Sequence, residues 1–188
     1  MPDLYKWLTP NRTTTYTYVR WPVPARQWTS PETLGLCESG WHLATLAGLS
    51  AHLPAAFPAV LWTAEGRGDC DESVDKIAFE SARIVTPVGT LTGRQAHALA
   101  CDFAEHVLWI WEARYPNDHR PRAAIETKRR WLAGEASDEE RRAAAAAARA
   151  AADAAAYYAA VSRAADDAAY YAAEREWQGR RILEVLGA

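Results

Sequence analysis

Apolar residues recur with helical spacing between Thr92 and Tyr115, in the stretch TGRQAHALACDFAEHVLWIWEARY. They fall at the three- and four-residue steps that bring side chains to one face of an α-helix: Leu99, Phe103, Val107, Ile110 and Trp111. Leu108 and Trp109 widen this face, which is typical of a helix that is covered on more than one side. The pattern therefore predicts a buried helix over about residues 94–115, against which the later segments pack.

The first ninety residues follow a different pattern, in which runs of aromatic and β-branched residues alternate with turn formers. Strands or extended segments are predicted at residues 4–8, 13–21, 34–44, 59–66 and 75–85. Loops or linkers are predicted where proline, glycine or acidic residues cluster, at residues 21–32, 66–75 and 86–93. Residues 45–52 predict a short helix. We therefore predict an α+β fold, with a small, mostly antiparallel sheet domain over residues 1–90 and a helical domain over residues 91–188.

Local signals mark the ends of the helices in the second half of the chain. Two capping boxes, in which each side chain satisfies a free backbone N–H of the other residue, start the first and third helices: Thr92 with Gln95, and Ser137 with Glu140. Pro121 suits the first turn of a second helix over residues 121–133, and Gly134 suits its left-handed end. These signals predict three helices that follow the sheet.

The third predicted helix is rich in alanine and extends over residues 138–186, with a bend near residues 162–167 as the alternative to a protruding rod. A short repeat places two pairs of rings along it: Tyr157 and Tyr158, then Tyr170 and Tyr171. Small alanines between these rings let another helix approach closely. The pattern fits packing within the chain, a homodimer contact or a groove for a partner.

Composition and charge narrow the choice of partners. The formal charge of −3 gives no general attraction to nucleic acid or to an anionic membrane. No apolar run reaches the length of a transmembrane helix, and the first residues lack the layout of a signal peptide, so we expect a cytoplasmic protein. Cys37, Cys70 and Cys101 are odd in number and widely spaced, which does not indicate a disulfide framework.

The predicted central helix contains a candidate polar site. His97, Cys101 and Glu105 lie at positions i, i+4 and i+8, and His106 follows directly. Ligands one helical turn apart can share a divalent metal. Because no second pair of ligands stands out downstream, the sequence favours a partly buried polar strip, and we predict neither a metal nor a cofactor.

A second candidate site lies in the predicted sheet domain, where Cys37 and His42 place a thiol near a base. Nucleophilic catalysis would require them close in space with an orienting third group, and the alternative is a structural turn. The Tyr5-Lys6 dipeptide and the segment Gly40–His42 resemble ADP-ribosyltransferase-like folds, in which residues from separate strands frame nicotinamide. That resemblance implies an enzyme acting on a nucleotide-linked substrate, with Glu80 as the candidate catalytic glutamate.

Basic side chains cluster around the second predicted helix: Arg120, Arg122, Lys128, Arg129, Arg130, Arg141 and Arg142. They could meet phosphates or an acidic protein surface. Nearby acidic residues partly neutralise them, and no aromatic residues alternate with them to stack on bases. The sequence therefore favours a solvated face with local ion pairs, with an acidic protein partner as the alternative.

Two blocks resemble known families. The block CDFAEHVLWIWEARYPNDHRPRAAIETKRRWLAGE, with the alanine-rich helix behind it, resembles a bacterial family of putative immunity proteins. The earlier block, from LYKWL through CESGWH to DKIAFESARIV, resembles an uncharacterised domain of phage and actinobacterial proteins. The first resemblance implies a protein that binds a partner, and neither supplies catalytic residues.

We therefore predict a non-enzymatic, immunity-like or phage counter-defence protein that occludes a toxin, nuclease or host-defence component. The residues predicted to contact the partner are Tyr157, Tyr158, Tyr170, Tyr171, Arg120, Arg122, Arg129 and Arg130. The alternative is the nucleotide-linked enzyme, with a polar site drawn from Tyr5, Cys37, His42, His97, Cys101 and Glu105. Homodimerisation along the alanine-rich helix is a third, purely structural hypothesis.

Overall fold

The structure, a computed structural model, describes residues 3–14, 19–22, 25–30, 32–34, 39–54, 56–147 and 167–188. In this part of the chain an antiparallel sheet comes first and helices follow it, so the predicted α+β class is confirmed. The described residues divide into two compact units. One consists of Met1–Gly93 with Ala169–Ala188, and the other is Arg94–Ala168.

The first unit contains four described strands: β1 (Leu4–Leu8), β2 (Trp41–Ala44), β3 (Ala59–Glu72) and β4 (Lys76–Leu91). All pairings are antiparallel, and the sheet closes on itself in the order β1-β2-β4-β3. β1 and β3 pair along the whole of β1, whereas β1 and β2 meet at Tyr5 and Ala44. The junction between β1 and β2 is therefore the short side of the closed sheet.

The hairpin of β3 and β4 is longer than the sequence pattern predicts. The acidic segment 66–75 is not a loop, because β3 continues to Glu72 and the chain turns only over residues 73–75. This end of β3 is exposed on both faces, so its residues lack the alternation by which half-buried strands are recognised. Ladder hydrogen bonds to β4 hold it in place, with Cys70 opposite Phe79.

The predicted linker over residues 86–93 is also strand as far as Leu91. Pro87 suggested a break, because proline has no N–H to donate to a ladder. In the structure Pro87 lies opposite Trp62, where the register of β3 and β4 shifts. Proline is tolerated at such irregularities, so the strand continues past it.

The other predicted elements of this half are shorter than expected. The described part of residues 34–44 contains the strand β2, and the described parts of residues 13–21 are joined by the isolated bridge from Thr13 to Arg20. The predicted helix over residues 45–52 is a single 3₁₀ turn, Leu46–Gly48, whose last N–H is capped by the Thr45 hydroxyl at 3.3 Å. A Cβ on Gly48 would lie 1.7 Å from the Asp75 carbonyl oxygen, so that close approach requires glycine.

A contiguous apolar core fills the sheet unit. Its buried members come from β1 to β4 and from the segment that contains Trp21: Leu4, Leu8, Trp21, Leu43, Trp62, Ala64, Ile77, Phe79, Ala82 and Ile84. Trp21 is only 1% exposed, and its ring meets Trp41 edge-on with centroids 5.1 Å apart. A few bulky rings thus supply much of the apolar volume.

The last helix packs with the sheet unit. Helix α5 (Asp167–Leu186) includes Ile182, which is fully buried, and Glu174, whose buried carboxylate accepts a hydrogen bond from Gln178 Nε2 at 2.9 Å. A Cβ on Gly179 would lie 2.1 Å from the Leu46 carbonyl oxygen, so α5 comes very close to the backbone there. The boundary predicted at residues 90 and 91 stays a prediction, but these last residues belong to the same unit as the sheet.

The helices that precede α5 are α1 (Gly93–His106), α2 (Leu108–Arg114), α3 (Arg120–Ala133) and α4, whose described part covers residues 138–147. The single helix predicted over residues 94–115 is broken at Val107, which has φ −103° and ψ 1°. Because the break changes the helical register, the apolar residues after it do not continue the α1 face. Leu108 is buried, but Trp109 is 59% exposed and Ile110 is 43% exposed, so the prediction of one continuous buried helix is wrong.

Two of the predicted helix ends agree with the structure. Gly134 ends α3 with φ 80°, and its N–H donates to the Arg130 and Trp131 carbonyls. Before α4, the Ser137 N–H donates to the Glu140 carboxylate at 2.7 Å and the Glu140 N–H donates to the Ser137 hydroxyl at 3.1 Å. The second capping box is therefore confirmed in both of its bonds.

Some predictions concern residues that lie outside the described part of the chain. Tyr157, Tyr158 and most of the segment 162–167 lie outside the described residues, and Tyr170 and Tyr171 belong to the backbone of α5. Within the described residues, no helix combines the length and apolarity needed to cross a membrane.

Candidate functional site

A cleft of about 340 Å³ opens in the sheet unit beside the junction of β1 and β2. Four of its lining side chains can bear positive charge: Lys6, His42, His52 and Lys76. They come from β1, from β2, from the turn after the 3₁₀ segment and from the first position of β4. We call this feature the cationic cleft.

Strand register explains why there is space at this point. Ala44 lies opposite Tyr5 on one side and opposite Lys76 on the other, so the three residues form a row across β1, β2 and β4. Cross-strand neighbours in such a row share one face of the sheet. The small side chain of Ala44 between two long ones leaves a depression, and His42, two residues earlier on β2, lies on the same face.

Lys6 follows Tyr5 on β1 and so lies on the opposite face of the sheet, but its side chain reaches the cleft at the junction of β1 and β2. Its ammonium group donates a hydrogen bond to the His42 carbonyl oxygen at 2.7 Å and lies 5.5 Å from the centre of the Trp21 ring. Burial and the neighbouring charge of Lys76 lower the pKa of Lys6 to about 8. Lys6 is therefore a half-buried cation in an environment that disfavours its charge.

The two histidines of the cleft are held in environments that favour the neutral imidazole. Burial, followed by the charges of Lys6 and Lys76, lowers the pKa of His42. The pKa of His52 is also lowered, mainly by burial, although its Nε2 lies 3.2 Å from the Asp75 carboxylate. Asp75 in turn accepts a hydrogen bond of 2.7 Å from the Ser73 hydroxyl.

The cleft brings together part of the predicted alternative polar site. Tyr5 and His42 both line it, whereas Cys37 lies outside the described residues, so the polar site itself stays a prediction. Burial, with a contribution from Asp3, raises the pKa of Tyr5. Glu80, the candidate glutamate, does not line the cleft, and its carboxylate accepts a hydrogen bond from the Asp69 N–H at 3.2 Å.

Sequence reasoning missed Lys76 and His52 and gave Lys6 no role of its own. A signal for Lys6 exists in LYKWL, because strand alternation puts this lysine on the same face as Leu4 and Leu8, which are both core residues. No comparable signal identifies Lys76 or His52. They reach the cleft only through the pairing of β2 with β4 and the close packing of Gly48 against Asp75.

The remaining members of the predicted polar site lie on α1, in the helical unit, and have separate surroundings. The His97 ring meets Trp131 edge-on with centroids 5.5 Å apart, and burial lowers the pKa of His97. Cys101 is buried, which raises the pKa of its thiol, and Glu105 pairs with Arg129. Among the described residues, no three His, Cys, Asp or Glu side chains converge in a way that could hold a metal ion.

The arginines predicted to contact a partner all have acceptors within the helical unit. Arg120 pairs with Asp118, and Arg122 pairs with Glu112 through two bonds of 2.7 and 2.8 Å. Arg129 bridges Asp102 and Glu105, and Arg130 donates to the Glu135 carbonyl. A role for these arginines in partner binding stays a prediction, and the local ion pairs agree with the solvated-face interpretation.

The helical unit also exposes apolar side chains that the sequence pattern placed in its interior. Trp109 and Ile110 lie side by side on α2, and we call them the α2 patch. Glu112 is one helical turn after Trp109, so the Glu112–Arg122 ion pair flanks the patch. An exposed tryptophan beside an ion pair has the composition of a protein contact, with an apolar centre and a polar rim.

Comparison with known proteins adds one finding. Residues 89–156 match the model of the family described as Imm-5 like putative immunity protein, which is a little over a third of the chain. The match includes the end of β4, α1 to α3 and the described part of α4. No curated protein and no solved structure matches the chain. These comparisons do not support the resemblance of the N-terminal half to a phage and actinobacterial domain.

Proposed function

We propose that this protein is an immunity-like module that binds a partner protein and blocks its action through the helices that follow the sheet. The observation that carries the proposal is the family match at residues 89–156, because it falls on these helices. A protein toxin or a nuclease is the class of partner that an immunity role implies. Binding would occlude the surface by which that partner acts.

The α2 patch is the part of these helices best suited to anchor a partner. Trp109 is 59% exposed and Ile110 is 43% exposed, although both are apolar. Tryptophan is among the residues that most often dominate binding energy, because it buries a large rigid surface when a partner covers it. We place the centre of the interface at these two side chains.

The arginines of the cluster have a secondary role in this proposal. Each forms bonds to acceptors within the unit, so a partner would have to compete with existing ion pairs. Exposed ion pairs of this kind contribute little to affinity but help to orient an approaching charged surface. We therefore assign Arg122, through its pair with Glu112, to the rim of the interface.

The experiment has two stages. The full chain is first used to capture a partner from lysate of cells that encode it, and stoichiometric recovery is required. The purified partner is then titrated with the wild type and with Trp109→Ala. We expect the variant to bind at least tenfold more weakly, since hot-spot truncation costs about 2 kcal/mol or more, while its thermal stability stays near that of the wild type.

Val74→Ala is the matched control, because Val74 is 80% exposed and lies outside the matched residues. It should bind the partner as tightly as the wild type. Coexpression with the partner supplies a functional measurement, since an immunity role requires that growth inhibition by the partner is relieved. Failure to recover any stoichiometric partner would contradict the immunity role. Equal binding by Trp109→Ala would contradict only the position of the interface.

A further inference from the structure

Two neighbouring side chains of the sheet unit, Arg12 and Trp62, carry buried hydrogen-bond donors that find no acceptor in the described part of the chain. The guanidinium group of Arg12 lies over the Trp62 ring, with Cζ 5.2 Å from the ring centre. Among the described residues, neither Nη1 of Arg12 nor Nε1 of Trp62 has a hydrogen-bond partner. Most buried N–H groups in folded proteins are paired, so each unpaired one requires an explanation. We call these two residues the Arg12–Trp62 pair.

The backbone around Arg12 is held in an uncommon conformation. Arg12 has φ 60°, which residues other than glycine rarely adopt. Its N–H donates to the Thr9 carbonyl at 2.8 Å, and its carbonyl accepts from the Trp21 N–H at 2.9 Å. The Thr9 N–H in turn donates to the Thr13 carbonyl at 2.9 Å. Backbone held in such a conformation by its surroundings is often found at binding sites.

The strand that carries Trp62 is irregular at the same point. The register of β3 and β4 shifts on both sides of Trp62, which lies opposite Pro87. Such bulges redirect side chains and are frequent beside functional sites. Trp62 is 8% exposed and belongs to the apolar core, where an unpaired N–H is costly. Lys6, opposite Trp62 on β1, already donates to the His42 carbonyl, and we assign it no role here.

We propose that the Arg12–Trp62 pair binds the carboxylate of a small organic acid with an apolar body. The two oxygens of a carboxylate accept from separate donors, so one group satisfies both Nη1 of Arg12 and Nε1 of Trp62. A carboxylate also matches the single charge of the guanidinium group. Phosphate would bring about −1.5 to −2 charges into the same largely apolar surroundings, which one cation does not offset.

Access to the pair depends on the Arg12 side chain. Both donor atoms are buried, so a ligand reaches them when this side chain changes rotamer. Arg12 is only half-buried and lies on a turn, and side chains in such positions change rotamer within nanoseconds. A small molecule enters this way more easily than a carboxylate fixed on a protein surface, which is why we assign the site to a small molecule.

A purely structural stack is the alternative, in which Arg12 only covers the Trp62 ring. That alternative predicts no saturable response to a carboxylate, whereas the proposal predicts one. The inference is independent of the proposed partner binding, because both residues lie in the sheet unit and outside the matched residues 89–156.

The experiment follows the indole N–H signals of the full chain by nitrogen–proton correlation NMR during titration with benzoate, at constant ionic strength set by sodium chloride. We expect the Trp62 signal to move saturably to higher frequency, because its N–H gains an acceptor. Trp7 and Trp41 are internal controls, since their indole N–H groups already donate to the Leu49 and Ser30 carbonyls at 3.3 and 3.0 Å. Absence of saturation at Trp62 would overturn the proposal, as would equal shifts of all three signals.

Substitutions at Arg12 test the second donor. Arg12→Gln should weaken benzoate binding roughly tenfold or more, because the charged donor is lost. Arg12→Lys should recover only part of the affinity, since lysine lacks the planar fork that matches a carboxylate. Arg20→Gln removes an exposed arginine from the same part of the chain and should leave the affinity unchanged. Unchanged affinity of a folded Arg12→Gln variant would overturn the proposal, and the wild-type titration decides the matter if that variant does not fold.

Two further titrations test the identity of the ligand. They use inorganic phosphate and a short capped peptide that contains a single glutamate. Benzoate should bind more tightly than either of them. Tighter binding of phosphate would overturn the assignment to a carboxylate. Saturation by the peptide without saturation by benzoate would overturn the assignment to a small molecule.

Discussion

At the scale of single residues, Lys6 shows how a strand can place a charge where its surroundings oppose it. Alternation along β1 puts Lys6 on the face of Leu4 and Leu8, and its ammonium group finds the His42 carbonyl at 2.7 Å. Burial and Lys76 nevertheless lower its pKa to about 8. Keeping Lys6 charged lowers the free energy of unfolding of the sheet unit, and this effect should depend on pH.

The first prediction concerns that dependence. The unfolded chain has a Lys6 pKa near 10.5 and the folded chain one of about 8, so the unfolded state binds more protons between these values. The free energy of unfolding should therefore rise with pH from 8 to 10 through this group. In Lys6→Met the rise should be smaller by about 1 to 2 kcal/mol, after allowance for screening by solvent.

Urea denaturation of both proteins at several pH values measures the difference. Burial raises the pKa values of Tyr5 and Cys101, and both groups act in the opposite sense at alkaline pH. Because they are present in both proteins, their effects cancel when the two curves are subtracted. Parallel curves for the wild type and Lys6→Met would show that the environment of Lys6 is not as the structure describes it.

At the scale of elements, the chain uses glycine where two backbones must touch and capping residues where helices begin. Gly48 lies against the Asp75 carbonyl, and Gly179 brings α5 against the Leu46 carbonyl. Ser137 and Glu140 satisfy each other's backbone N–H groups before α4. These contacts fix where the elements start and how closely they approach.

The second prediction is a reversal of the usual effect of alanine in a helix. Replacing an exposed glycine in a helix by alanine usually raises the free energy of unfolding by about 1 kcal/mol. Gly179→Ala should instead destabilise the protein by about 1 to 3 kcal/mol, because its Cβ would lie 2.1 Å from the Leu46 carbonyl oxygen. Thermal unfolding compares it with Gly93→Ala, whose Cβ would meet only Phe57 at 3.8 Å. A gain in stability for Gly179→Ala would contradict the close packing of α5.

The third prediction tests the capping box of α4. Ser137→Ala removes the hydroxyl that accepts from the Glu140 N–H at 3.1 Å and should lower the free energy of unfolding by about 1 kcal/mol. Ser137→Asp keeps an acceptor at this position and should retain most of the stability. Urea denaturation measures both variants. If the two lost the same stability, the hydroxyl would not be acting as a cap.

At the scale of the whole molecule, the last twenty residues belong to the same compact unit as the first strands. Residues 169–188 belong with Met1–Gly93, and Ile182 in this segment is fully buried. The family match at residues 89–156 falls mostly on the intervening helical unit. The stability of the sheet unit therefore depends on a segment that is distant in sequence from its strands.

The fourth prediction follows from that dependence. Ile182→Ala should destabilise the sheet unit by about 2 to 5 kcal/mol, the usual cost of removing a large buried aliphatic side chain. Hydrogen exchange of the β1 to β4 amides should become faster by the corresponding factor. Arg175→Ala is the control, because Arg175 is exposed on the same helix. Unchanged exchange in Ile182→Ala would mean that α5 does not stabilise the sheet.

The sequence by itself determined the α+β class, the strand at residues 4–8, the left-handed end at Gly134 and the capping box at Ser137. These features depend on side chains within a few positions of one another, so local physics decides them. Tyr5 and His42, two members of the predicted polar site, both line the cleft, and a functional role for them stays a prediction.

Only the tertiary structure decided the rest, because it depends on pairings between distant residues. The acidic segment predicted as a loop is a strand because β3 pairs with β4 along it. Trp109 and Ile110 are exposed because the helix breaks at Val107. The register of Ala44 with Tyr5 and Lys76 created the cationic cleft. A periodic pattern shows which face of a segment is apolar, but strand pairing and helix breaks determine what that face meets.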